Sequence, residues 1–368
     1  MNDDIETTLP ASSRHRALTT LELDAIGTEL DTLRSEVIAG LGEREASYIR
    51  QVQAIVRYTE IGGRGLLFVG WLPPAWLAGT SLLAFSKIVD NMELGHNVMH
   101  GQYDWMNEPT LRGDTYEWDH ACEGDAWRHS HNYLHHTFTN VEGRDRDIGY
   151  GFLRLFPSQR WQPLHLIQPA IAVGLAALFQ WGISLHDLEI DRVVRGKVPV
   201  EKVARDAAPV LRKALRQFAK DYVLFPLLAG PAFLPVLTGN LAANLARNLW
   251  TFGIIFCGHF TADVETFPET VLEDESRGAW YVRQMRGSSN LTGGPLFHFL
   301  SGNLSHQIEH HLFPDVPAVR YADMAERVRG ICERYGQSYN TGSFWTQFTS
   351  VVSRIVRYAL PFDAAVAA

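Results

Sequence analysis

Cysteine is scarce in this 368-residue chain: Cys122, Cys257 and Cys332 are scattered and form no CxxC pair. That excludes a disulfide framework and an iron–sulfur cluster of the chain's own. There is no GxGxxG fingerprint and no cytochrome-like haem segment, so neither a dinucleotide nor a haem is expected here. The net charge of −8 leaves no basic excess for nucleic acid. The first twenty residues, MNDDIETTLPASSRHRALTT, lack the basic start and apolar core of a secretory signal, and the N-terminus is expected to stay in the cytoplasm as a flexible tail. Long apolar runs are few. A hydrophobic fraction of 46% with a mean hydropathy of −0.10 fits neither a many-span transporter nor a typical cytosolic enzyme. It fits a small membrane base under a polar cap.

Residues 21–60 place Ile26, Leu30, Leu33, Val37 and Leu41 at helical intervals amid charges, which predicts amphipathic helices preceding the membrane. Residues 61–90 form two apolar stretches broken at Pro73-Pro74, and residues 222–258 form two more around a turn at Thr238-Gly239-Asn240. Each reads as a transmembrane hairpin. The expected fold is therefore an all-α integral membrane protein of about four transmembrane helices, arranged as two hairpins under a helical cytosolic cap. Residues 61–362 form this domain, with a short tail at 363–368. The apolar segment 164–185 makes a fifth candidate, but an odd count would separate groups that must meet. It is followed by a basic stretch from Arg192 to Lys220 that belongs on the cytoplasmic side, so 164–185 is expected to lie in the interface or re-enter. The rival arrangement, in which 164–185 spans and 222–238 does not, puts the basic stretch outside.

Histidine is what the chain has in excess. His96 and His100, four apart in ELGHNVMHG, project from one face of a helix. Alone, such a pair is more often ordinary than metal-binding. Two further boxes share an HxxxHH spacing: His131, His135 and His136 in WRHSHNYLHHTFTN, and His306, His310 and His311 in NLSHQIEHHLFP. Over a helix such a triplet fans across roughly 140°, too wide for one metal and suited to two ions side by side. Eight imidazoles exceed the four ligands of a structural zinc site and suit iron, so two irons are expected. His259 in FCGHFTAD is a ninth candidate, or else an interfacial polar residue, and His298 is the reserve.

Acids should orient these rings from outside, and Asp90, Glu93, Asp147 and Glu309 are suitably placed. Glu93-x-x-His96 and Glu117-x-x-His120 match the motif of carboxylate-bridged di-iron bundles, but that reading leaves both HxxxHH boxes without a purpose. Trp105, Trp118, Trp127 and Trp161, with Tyr103 and Tyr116, are assigned to interfacial anchoring and cap packing rather than to a substrate tunnel.

Redox iron at the mouth of a membrane hairpin implies oxidation, with O2 as co-substrate, of something that partitions into lipid. A saturated acyl chain fits, because breaking an unactivated C–H bond is beyond acid–base chemistry and falls to the cofactor. Electrons must then come from a separate NAD(P)H-dependent reductase or ferredoxin. A hydroxylase of the same architecture, or a non-catalytic metal carrier, are the competing readings; a carrier would place its ligands inside the spans.

The boxes HNVMH, HNYLHH and HQIEHHLFP, with GHF before the third and TGSF near residue 344, resemble the membrane fatty acid desaturases. DNMELGHNVMHGQYDWMN and SGNLSHQIEHHLFPDVP are especially similar to the actinobacterial acyl-CoA delta-9 branch, and the resemblance runs from about residue 20 to 362. It implies a multi-pass protein of the cell membrane with its metal site on the cytoplasmic face. The implied reaction turns a saturated acyl thioester such as stearoyl-CoA into a cis-monounsaturated product. The resemblance carries over the eight box histidines as metal ligands, with His259 as the extra histidine before the third box. One departure bears on where the double bond goes: relatives acting near the carboxyl end often begin box three with Gln, and this chain has both His306 and Gln307.

Overall fold

In a computed structural model of the chain, the described residues run from 15 to 361, apart from 187, 190–191, 194–195 and 197–198. The C-terminal tail and most of the N-terminal tail lie outside them. The fold is helical, as its periodicities imply. Helix α1 (Thr20–Ala39) opens with a capping box in which the Thr19 side chain and Glu22 satisfy each other's backbone donors. Its face Ile26, Leu30 and Leu33 is buried in one core with Tyr281, Met324 and Val328. Helix α2 (Glu43–Leu67) runs unbroken across the expected boundary at residue 60. The chain then turns through 68–72, and α3 (Pro73–Val89) starts on its two prolines, where their missing N–H groups and fixed φ cost nothing. α2 and α3 approach so closely that a Cβ on Gly63 would lie 2.8 Å from the Leu83 nitrogen, and one on Gly79 2.9 Å from the Gly63 oxygen.

After α3 comes the loop region that carries the first two histidine boxes, then α4 (Gln168–Ala177) and α5 (Phe179–His186). The segment Pro163–Ala177 and helix α5 together have the length and apolarity of a membrane span but are bent by 100°. Among the described residues no single helix is both long and apolar enough to cross a membrane. Helix α6 (Val200–Ala219) leads into α7 (Phe233–His259).

The turn expected at Thr238-Gly239-Asn240 is absent, because those residues lie inside α7 and the chain breaks earlier, at Gly230 with φ +54 and Pro231. Each of the three residues has another task. A Cβ on Gly239 would sit 2.5 Å from Leu67 Cδ2, so the glycine permits close helix packing rather than a turn. The Thr238 hydroxyl donates to the Leu234 carbonyl and accepts from Trp76, and the Asn240 amide donates to the Asp221 carbonyl at 2.6 Å. Helix α8 (Arg277–Arg286), strand β1 (Asn290–Thr292), α9 (Gln307–Leu312), α10 (Tyr321–Arg334), strand β2 (Thr341–Ser343) and α11 (Phe344–Arg357) complete the cap. β1 and β2 pair in parallel, Leu291 opposite Gly342.

A buried ion network joins these elements beneath the boxes. Lys87 Nζ lies 3.0 Å from Asp119 Oδ2 and 2.9 Å from Asp221 Oδ2, and Arg64 Nη2 lies 3.2 Å from Asp221 Oδ1. Lys220 also pairs with Asp119, while Arg247 donates to the Asp119 carbonyl at 3.0 Å. The network ties α2, α3 and α7 to the loop that leads into the second box. Asp221 and Lys87 are both about 1% exposed at the side chain, so removing Asp221 leaves Lys87 and Lys220 to share Asp119 and takes a buried partner from Arg64. Asp221→Asn is expected to cost about 3–5 kcal/mol in a denaturation midpoint measurement; an unchanged midpoint would show that the network carries no net stability.

Candidate metal centre

Wide, π-helical turns carry His96 at the end of Asp90–His96 and His131 and His135 within Arg128–His135, while His100 and His136 follow them. Such turns bring residues four apart onto nearly the same line, and His131 and His135 stack with ring centroids 5.1 Å apart. The third box is built differently. Gly302 (φ +67) and Asn303 (φ +55) turn the chain against the first box, where a Cβ on Gly302 would lie 2.3 Å from the Met92 carbonyl. α9 then begins at Gln307, and His306, with φ −103 and ψ 57, stands outside it.

This geometry decides which rings meet. His96, His100, His131 and His310 bring one nitrogen each within 4.8 Å of one another; His135, His259 and His311 do the same, and His136 forms a third group with His310 and His311. The two sets therefore adjoin through His136, His310 and His311. Inside them, ring nitrogens face each other at 3.1 Å for His311 and His259, 3.3 Å for His135 and His259, and 3.4 Å for His96 and His131. His306 is in none of the groups: it stacks on His298 at 4.8 Å, and His298 Nδ1 is 2.7 Å from the Ser305 hydroxyl. In its place Gln307 reaches the cluster, its amide nitrogen 2.9 Å from His259 Nε2.

The outer nitrogens fix the tautomers. His135 Nδ1 donates to Asp145 at 3.0 Å, His259 Nδ1 to the Gly287 carbonyl at 3.2 Å, and His310 Nδ1 to the Tyr321 hydroxyl at 3.3 Å. His311 Nδ1 lies 3.2 Å from both the Gln284 Oε1 and Thr139 hydroxyl acceptors, and His96 Nδ1 is 3.2 Å from Asn97 Oδ1. With Nδ1 donating outward, each Nε2 lone pair is turned into the cluster. Burial drives His100, His136, His310 and His311 well below the usual imidazole range, and the neighbouring rings add to it, so these are neutral donors. His135 is the exception: burial lowers it, but Asp145 and Asp147 together raise it above the usual imidazole range.

The inner nitrogens of His100 and His310, and both nitrogens of His136, are buried with no hydrogen-bond partner. Orphaned neutral imidazoles converging at these distances are the donor set of a metal centre, and their number and grouping fit two ions rather than one.

Of the acids expected around the rings, only Asp147 is there, 3.6 Å from His131 Nδ1. Asp145, which sequence reasoning missed, holds His135 and accepts the backbone N–H groups of Asn140 and Asp147. Glu93 is instead bound by the Tyr48 hydroxyl and the Asn303 amide, and Glu309 by Tyr339 and Asn290, so these acids brace the backbone beside the boxes. Burial pushes Glu309 up to about 7. Asp90 accepts the Asp119 N–H. His186 pairs with Asp147 at 3.2 Å, and His120 Nδ1 accepts the Cys122 N–H at 3.1 Å. A narrow cavity reaches His96 and His131 between Met92, Trp118, Trp127, Tyr150, Ile183 and Ile255. Trp118 and Trp127 are thus cavity walls, not only packing or anchoring residues.

Clustered neutral histidines beside an apolar cavity in a helical protein are the features of a metal-binding site next to a cavity for an apolar ligand. The sequence profile of the fatty acid desaturase family matches residues 71–343. The chain is 42% identical over 348 residues to the NADPH-dependent stearoyl-CoA 9-desaturase of Mycobacterium tuberculosis, which covers 94% of this chain and 82% of that protein. It is 29% identical over 287 residues to the sn-1 linoleoyl-lipid 6-desaturase of a Synechocystis strain, covering 74% and 77%. An acyl-lipid (7-3)-desaturase of Rebecca salina is 28% identical over 245 residues. The chain belongs to the fatty acid desaturase family.

Two expectations follow from the geometry. Asp145→Ala should weaken metal binding about 10- to 100-fold, the usual effect of losing a group that orients a ligand. His310→Ala should lose metal on elemental analysis while His306→Ala keeps it; equal loss in both would mean that His306 reaches the centre after all.

Proposed function

We propose that the chain is an integral-membrane acyl-CoA desaturase that uses O2 and a di-iron centre to place a cis double bond at the delta-9 position of a saturated chain such as stearoyl. The observation that carries the reading is the convergence of eight histidines in two adjoining groups beside an apolar cavity. His96, His100, His131 and His310 would hold one iron, His135, His259 and His311 the other, with His136 between them. The ions supply the oxidising power for an unactivated C–H bond, which no side chain provides. The protein's own contribution is to orient the imidazoles through Asp145, Tyr321 and Gln284, and to hold one stretch of chain against them with water excluded. Electrons would come from a separate NAD(P)H-dependent reductase or a ferredoxin.

A bilayer around the long helices is supported by their surface. Leu234, Leu241, Leu245 and Leu249 on α7 are exposed, as are Trp71, Leu72, Leu77, Leu227 and Leu228 around the hairpin ends. An apolar surface of that extent marks contact with membrane or partner. His96 and His100 follow α3, and His259 ends α7, so the proposed centre would lie at the end of the bundle remote from the 68–72 turn. That face would be cytoplasmic, with Arg212, Lys213, Arg216 and Lys220 on the same side.

Gln307 at the cluster favours a second reading, an acyl-lipid enzyme acting nearer the carboxyl end, like the linoleoyl-lipid relatives. The higher identity to the stearoyl-CoA enzyme supports the thioester reading. Purified protein given NADPH, a reductase and stearoyl-CoA is expected to release a product lighter by two hydrogens, with its double bond at carbon nine on derivatisation and mass analysis. A product heavier by one oxygen would make it a hydroxylase, and conversion of phospholipid alone would establish the second reading.

A further inference from the structure

We propose that helix α6 lies in the plane of the membrane surface and that its Arg212 and Arg216 bind the phosphate groups of anionic phospholipids, a contact that steadies the loop carrying Trp118; this rests on the membrane-embedded reading above. From residue 207 onward the helix and the turn that continues it, Lys220–Leu224, present three rows of side chains. Lys213, Gln217 and Lys220, at i, i+4 and i+7, face inward. Lys213 Nζ donates to Glu117 Oε2 at 2.6 Å and to the Trp118 carbonyl at 3.0 Å, the Gln217 amide donates to Asp119 Oδ1 at 2.8 Å, and Lys220 pairs with Asp119. Leu211, Leu215 and Phe218 repeat that spacing in a second row. Leu215 is 66% exposed and Phe218 48%, so nothing among the described residues covers it. Arg212 and Arg216, one turn apart beside this apolar row, are exposed and pair with no acid among the described residues.

An apolar row flanked by cations is the surface of an interfacial helix. The leucines and the phenylalanine sink among acyl chains, while the arginine stems lie along them and lift the guanidinium groups to the headgroups. A guanidinium presents a planar fork of N–H donors that matches phosphate oxygens. An acidic protein would complement the two arginines but does not call for the apolar row. That row leads into Leu224, Leu227 and Leu228, which are exposed where the chain enters the bundle, so helix and bundle face one apolar medium.

The inward row links this surface to the metal cavity. It grips Glu117, Trp118 and Asp119 in succession, and Trp118 lines the cavity beside His96 and His131. Anchoring the outer side of α6 on phosphates therefore restrains that loop as well. A basic residue beside an anionic surface shifts a local equilibrium roughly fivefold, and amide exchange reads such local opening.

The test uses the full-length protein in nanodiscs of phosphatidylcholine alone or of phosphatidylcholine mixed equally with phosphatidylglycerol, with amide hydrogen exchange read by mass. In the wild type, exchange of residues 207–220 and of 114–120 should slow roughly fivefold or more in the anionic discs, while α8 exchanges alike in both. High salt should remove the difference. Arg212→Gln combined with Arg216→Gln should abolish it, and the corresponding pair of Lys substitutions should keep it. Leu215→Ser combined with Phe218→Ser should speed exchange of α6 in both kinds of disc. Equal exchange of the wild-type helix in the two discs overturns the proposal, as does a lipid dependence that survives in the double Gln variant. Lipid-independent exchange together with a raised KM for the electron donor in that variant assigns the arginines to an acidic protein and also overturns it. A chain that enters no disc overturns the membrane reading, and the proposal with it.

Discussion

Eight imidazoles buried together, with ring nitrogens 3.1–3.4 Å apart in three pairs, form an arrangement that neutral rings do not adopt for their own sake. Lone pairs directed at one another repel, and protonating the rings would place several positive charges in a site without solvent. A cation between them removes both penalties. The surrounding structure can be understood as the means of holding this set in place. α3 and α7 deliver His96, His100 and His259 from one end of the bundle, and a π-helical turn aligns His131 with His135. The turn at Gly302-Asn303 brings His310 and His311 in from the opposite side.

The outer partners are graded in charge. His135 faces Asp145 and His131 faces Asp147, whereas His96, His259, His310 and His311 face neutral amide, carbonyl or hydroxyl oxygens. Carboxylates at the second box offset part of the metals' charge and raise the basicity of those two ligands. Below this layer, the Lys87, Asp119 and Asp221 network fixes the loop that carries Trp118. The cavity wall and the metal ligands are thus set by the same helices.

Much of this was legible in the sequence. The amphipathic face of α1, the hairpin broken near Pro73 and the histidine boxes can all be read from spacing and turn chemistry. What spacing cannot give is whether a pattern rests on continuous backbone. HxxxHH occurs twice, yet in the third box the helix starts at Gln307, so His306 turns away toward His298 while Gln307 takes the inward place. The Gly-Asn pair shows the same dependence on context. At 302–303 it makes the turn its chemistry favours. At 239–240 it lies within α7, because Gly239 packs on Leu67 and Asn240 bonds Asp221. Asp145 was invisible for another reason: it lies ten residues from His135, and only the fold brings the two together.

The most direct test of the di-iron centre is the metal stoichiometry of the full-length protein purified in detergent, by elemental analysis against protein concentration. The expected result is about two irons per chain with little zinc, since two adjoining sets of neutral imidazoles suit two redox-active ions. One zinc per chain, or no bound metal after purification in iron-supplemented medium, would contradict the di-iron assignment and leave the histidine cluster without its reason.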